Sequence, residues 1–285
     1  MSNSIRPAAV AGSWYPGTRG ALLQEVDGYL AAVAADTIPR GRLDAVIAPH
    51  AGLMFSGPVG AYAYKAAAAG GPYDTVILVG PSHFVAFDGL SIYPSGAFAS
   101  PLGPAAIDEA MAGELVAASP AIHVLPAAHA REHSLEMQLP FVRRLLPDAR
   151  IVPILMGYQT RDTIEELARV LTAVRGNVLM VASTDLSHFF DAAHAEELDA
   201  RVRSCVNAFD PDRLLALFEE YPERERGRFV ACGGGPAIAV MLAARARGAR
   251  HGRVLKYMHS GEISGDNSGV VGYLAAAVGS FTDVH

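Results

Sequence analysis

"VILVGPSHF", residues 76–84, decides how the rest of the chain is read. Its first half is an uninterrupted apolar, β-branched run, the pattern of a strand buried on both faces. Its second half, Gly80, Pro81, Ser82 and His83, ends the strand and delivers an imidazole at the tip. The pattern recurs. "AVIAPHAG" (45–52) runs through Pro49 into His50, and "NVLMVASTDLSHF" (177–189) runs into Ser183, Thr184, Asp185 and His188. Three apolar strands thus end in polar loops that carry histidines. In α/β proteins parallel strands align their carboxyl ends on one edge of the sheet, and that edge is where ligands bind.

Working outward, apolar residues three and four apart predict helices over 18–34, 56–69, 103–119, 132–146, 161–175, 193–209, 211–221 and 235–247. Short β-type runs fall at 45–49, 75–79, 122–126, 150–156, 177–182, 254–260 and 270–278. The alternation predicts one three-layer α/β domain over 1–285, with a central, largely parallel or mixed sheet flanked by helices. "YPSGAFASPLGP" (93–104) reads as a loop rather than a linker.

Composition narrows the function. The 285 residues carry a net charge of −6 without a Lys/Arg cluster, which disfavours nucleic acid as a partner. No apolar run reaches the roughly 18 residues of a membrane span, and "MSNSIRPAAVAGSWYPG" lacks the parts of a signal peptide. The expectation is a soluble cytoplasmic protein. The two cysteines, Cys205 and Cys232, lie in no CxxC motif, and a reducing compartment disfavours a disulfide between them.

His50 and His83 both follow a strand through a proline, and imidazoles on one sheet edge suit a metal. The alternative is that each caps a turn. Cys232, in "VACGGGPAIAV", is the candidate third ligand: it precedes the helix from Pro236, where the dipole lowers a thiol pKa. Its plain alternative is a small packing residue, and the glycines after it could form an anion-binding nest. Asp185 and His188 are three apart and would face one way on a helical turn, pairing carboxylate and imidazole for proton handling; Asp185 could equally be an N-cap. In "REHSLEMQLPFV" (131–142), His133 and Glu136 stand one turn apart on the predicted helix, either lining a cleft or forming an exposed pair. His123, His129, His194, His251, His259 and His285 show no partner pattern and read as surface or core, and Cys205 as packing. Asp266, in "SGDNSGVVGY", is a turn former or a site residue.

Taken together, "AGSWYPG", "IAPHAGLMFSG", "GPSHF", "EHSLEMQLPF", "STDLSHF", "CGGGPA" and "GDNSGVVGYLA" resemble the Memo family in its bacterial and archaeal form, from Ala11 to about Ala277. The resemblance implies the fold of class III extradiol ring-cleaving dioxygenases, which hold a non-haem Fe(II) on two histidines and a carboxylate. It implies His50, His83 and Cys232 as metal ligands and His188 as acid/base, with Asp185, His133 and Glu136 lining the pocket. Cys232 stands where a carboxylate would. A soft thiolate favours Zn, Cu(I) or thiolate-ligated iron over the Fe(II) that the fold implies. Three functions follow: a metal-dependent, dioxygenase-like oxidoreductase, a non-enzymatic module that binds a phosphopeptide or other anion, or a partner-protein role beside a radical SAM protein. The resemblance also implies a radical SAM protein and an AMMECR1-like protein as partners.

Overall fold

A computed structural model describes residues 5–283, so His285 lies outside the described residues. Nine strands form one sheet. Its order is His188–Phe190, Val270–Phe281, Gly41–Ala48, Val178–Ser183, Thr75–Pro81, Arg150–Met156, Leu90–Ile92 and Ile122–His123, with His251–His259 also pairing Val270–Phe281. The four middle strands are mutually parallel, whereas Val270–Phe281 and Leu90–Ile92 join them antiparallel. The sheet is therefore mixed, with a parallel centre. Thr75–Pro81 and Val178–Ser183 are buried at every position, as continuous apolarity requires.

Register places the histidines. Ala45 and Ile77 both pair with Met180, so the strands before His50 and His83 run level with the strand before Asp185. Helices Arg19–Ala32, Leu53–Gly70 and Leu139–Leu145 pack as one group, and Arg161–Ala173, Pro211–Glu219 and Gly234–Ala246 as another, each against the strands. Among the described residues no single helix is long and apolar enough to cross a membrane.

Three expectations change, the first being the helix read over 103–119, which begins only at Glu109 after the strand Ala105–Ala106. Within 93–104, Ala97–Phe98 is a strand of a small three-stranded sheet with Ile5–Arg6 and Ala105–Ala106. Its partner is remote in sequence, and the Arg6 guanidinium lies 4.6 Å from the Phe98 ring centre. The helix expected over 132–146 begins only at Leu139, after a 3₁₀ turn at Glu136–Gln138. Pro140 suits the first turn of a helix, where its missing N–H is not needed. Upstream, the Glu132 side chain takes the backbone N–H groups of His133 and Ser134, holding them out of a helix.

Candidate metal centre

His50 follows Gly41–Ala48 and is 2% exposed. Its backbone N–H donates to Asp185 Oδ1 at 2.7 Å, and its Nδ1 lies 2.9 Å from Ser183 Oγ. Ser183 donates its one proton to the Ser134 carbonyl at 2.6 Å and accepts from Gln138 Nε2 at 2.8 Å. The serine oxygen must therefore accept from His50, which puts the ring proton on Nδ1 and leaves the Nε2 lone pair free. That Nε2 is 3.2 Å from Cys232 Sγ.

His83 repeats the arrangement with a carboxylate. Glu132 Oε1 accepts from His83 Nδ1 at 2.8 Å and Oε2 from its backbone N–H at 2.6 Å, while the ring's other side bonds to Cys232. His133 stacks on His83 with ring centres 4.5 Å apart. One ligand atom from each of His50, His83 and His133 lies within 4.8 Å of the others.

The chain around Cys232 is fixed from both sides. Its N–H donates to the Asp185 carbonyl at 3.2 Å, its carbonyl accepts from Gln159 Nε2 at 2.6 Å, and the Asp185 N–H points at Sγ from 3.3 Å. The following glycines do not form an anion nest. Gly233 N–H donates to Thr184 Oγ1 and Gly235 N–H to Gln159 Oε1. A Cβ on Gly233 would stand 2.3 Å from the Ser183 carbonyl oxygen, so close backbone packing accounts for it.

These contacts set the proton balance. Burial alone would raise the Cys232 pKa, but the His50 and His83 imidazoles beside it bring it down to about 6. Burial alone would lower that of His83, yet Cys232 and Glu132 lift it to about 10. His133, buried and facing the His83 charge, drops to about 4 and stays neutral. Burial likewise disfavours the charged form of His50. Cys232, His50 and His83 thus share protons around one sulfur, with His133 neutral beside them. Nitrogen and thiolate donors of this kind fit a borderline or soft metal ion, which would take the place of the shared proton.

The remaining expected residues divide. Asp185 is 4% exposed, its carboxyl pKa raised by burial, and its side chain holds the His50 backbone. Residues 184–187 make no helical turn, and Asp185 caps no helix; His188 instead opens the strand His188–Phe190. His188 still faces Asp185 electrostatically, and the buried Nδ1 of His188 has no hydrogen-bond partner among the described residues.

Glu136 does not line the cleft. Fully buried, it binds Arg6 Nη1 at 2.5 Å and accepts from the N–H groups of Ala9 and Val10 and from the Tyr15 hydroxyl. It clasps the N-terminal segment, which carries Trp14 to 4.3 Å from His133. Asp266 forms an exposed turn with Ser268, and Cys205 is packed at 1% exposure.

Sequence reading missed Glu132 as the partner of His83, although it stands next to His133 in the same motif. It also missed Ser183 and Gln138 as the groups that set the His50 tautomer, and the aromatic rim. Trp14 and Phe84, 38% and 50% exposed, flank His133, and Phe189, 68% exposed, neighbours His188 with φ at +64°. A positive φ is unusual for a bulky residue and clusters at functional sites.

A mixed α/β sheet with histidines and a cysteine converging at its carboxyl edge defines a class of candidate metal-binding α/β proteins. The chain belongs to the Memo family: the model of the Memo-like protein matches residues 6–277. A MEMO1 family protein of Methanopyrus kandleri is 34% identical over 281 residues, covering 95% of this chain and 97% of the relative. One of Methanothermobacter thermautotrophicus is 34% identical over 278 residues, covering 94% and 98%. The crystal structure of an uncharacterized protein from Escherichia coli K12 aligns with a TM-score of 0.56 at 14% identity, covering 84% of this chain and all of that one. That likeness concerns the fold.

Proposed function

We propose that the cleft binds one metal ion through His50, His83 and Cys232, with His133 at hand as a further donor, and that the protein is a metal-dependent oxidoreductase acting on a small organic molecule. The observation that carries this reading is the pair of outer hydrogen bonds. Ser183 and Glu132 occupy Nδ1 of His50 and His83, which leaves both Nε2 atoms beside one thiolate. Carboxylates and hydroxyls behind ligating histidines fix the tautomer and orient the ring. Iron is the ion the fold resemblance favours, and copper or zinc the ones the thiolate favours.

A bound ion would supply Lewis-acid or electron-transfer chemistry at its open positions. The protein's own contribution is geometric and protonic. Asp185 holds the His50 backbone, Trp14 and Phe84 cover one side of the mouth and exclude water, and His188 accepts or donates a proton at its ring beside Asp185. A reducing compartment would keep Cys232 out of a disulfide and available as a ligand.

Metal analysis of anaerobically purified protein should give one ion per chain, absent in His50→Ala and depleted in Cys232→Ser. Oxygen uptake with catechols tests the dioxygenase-like form of the chemistry. Metal-free protein of unchanged stability would sink the reading. A second reading, a module that binds a phosphopeptide or another anion alongside a radical SAM and an AMMECR1-like protein, draws on the cationic His83 under an aromatic rim. Stoichiometric metal with no turnover, together with phosphotyrosine-peptide binding lost in His83→Ala, would favour it.

A further inference from the structure

The opposite edge of the same sheet holds a polar cavity of about 600 Å³. Arg42 and Asp44 reach it from the start of Gly41–Ala48, Arg175 from the turn before Val178–Ser183, and Arg247 from the end of Gly234–Ala246. Three guanidinium groups face one carboxylate there. Arg42 shares its charge with Asp44 at 3.1 Å, and Arg247 donates to the Val174 carbonyl. Arg175 is exposed and takes no hydrogen bond or ion pair from the described residues.

Tyr73, 7% exposed, also lines the cavity, and its buried hydroxyl has no hydrogen-bond partner among the described residues. Burial and the nearby Asp44 push its pKa up to about 12, so it keeps its proton as an unused donor. Buried polar groups are nearly always paired, and an orphaned one calls for an explanation.

We propose that this cavity is a second binding site, for a small molecule carrying a phosphoryl group. The net charge of its lining, three arginines against one aspartate, matches the roughly −2 of a phosphoryl group, and planar guanidinium forks match its oxygens. The volume leaves room for an organic moiety beyond the phosphate. Ligands at the usual carboxyl edge meet loops and histidines; this site uses the amino ends of the same strands, so its occupation is independent of the metal.

Calorimetry and thermal melting with pyrophosphate in low-salt buffer test the proposal on the intact protein. Pyrophosphate should bind and raise the melting temperature. Arg175→Glu, at an exposed position that makes no hydrogen bond or ion pair with the described residues, should melt normally without ligand and bind at least about tenfold more weakly. Arg175→Lys should fall between the two, and His50→Ala should bind like the wild type. Absence of pyrophosphate binding, equal affinity in Arg175→Glu, or tighter binding of succinate than of pyrophosphate would overturn it.

Discussion

Glu132 and Glu136 stand four residues apart, both essentially buried, yet they serve different regions of the molecule. Glu132 turns toward the cleft and holds His83 by ring and backbone. Glu136 turns away and closes the N-terminal segment onto the core through Arg6, Ala9, Val10 and Tyr15. The difference teaches that residue type and spacing do not assign a carboxylate to chemistry or to architecture. The partners do, and these are residues 83 and 6. Because the two regions are adjacent, separate perturbation is a sharp test of the division.

The largest effect should come from the clasp. Glu136→Ala leaves the Arg6 charge buried without its partner, a change that typically destabilises by about 3–5 kcal/mol. Denaturant unfolding should report that loss, while the metal content of the folded fraction stays at the wild-type level. Loss of metal in step with stability would break the contrast.

Acid should attack the same region next. His129, whose carbonyl accepts from Arg6, is buried, and burial followed by the Arg6 charge brings its pKa down to about 3. The unfolded chain, with a pKa near 6.5, binds the proton more readily, so His129 contributes its full stabilisation above pH 6.5 and loses it as pH falls toward 3. Each unit in that window removes about 1.4 kcal/mol. In His129→Gln the acid limb of a stability-versus-pH curve should flatten; an unchanged limb would place the acid sensitivity elsewhere.

On the cleft side, Glu132→Gln keeps one of the two acceptor oxygens, enough for the N–H groups of His133 and Ser134, but loses the other, which accepts the His83 backbone N–H, and removes the charge behind His83. Metal affinity should fall about 10–100-fold, as for other outer partners of ligating histidines, with a smaller effect on unfolding than Glu136→Ala. A competition titration against a chelator measures it. The smallest expected change in total binding, and the most informative in kind, is Cys232→Asp. It should shift preference from Cu(I) or Zn toward Fe(II), because a hard oxygen replaces a soft sulfur. Unchanged preference would return Cys232 to a packing role.

Much of this division was legible in part. The apolar runs that end in His50, His83 and Asp185 announce both the strands and the edge where they converge, because burial on two faces writes itself locally into consecutive residues. The glycines after Cys232 misled, since a nest and a close packing contact have the same composition; only the Thr184 and Gln159 acceptors separate them. The stretch 132–146 misled for a related reason. Its helical period is real from Leu139 onward, but the two residues after Glu132 are held by its side chain, which no periodicity records.

What the sequence determined by itself was the alternation of strand and helix, the level carboxyl edge and the residue types gathered there, all properties of local pattern and burial. What only the tertiary structure decided was pairing: Ser183 rather than solvent behind His50, Glu132 behind His83, Arg6 against Glu136, and the arginines at the far edge around an unpaired Tyr73 hydroxyl. The physical reason is that a buried polar group must find its partner wherever the packed chain brings one, and sequence distance places no limit on where that is.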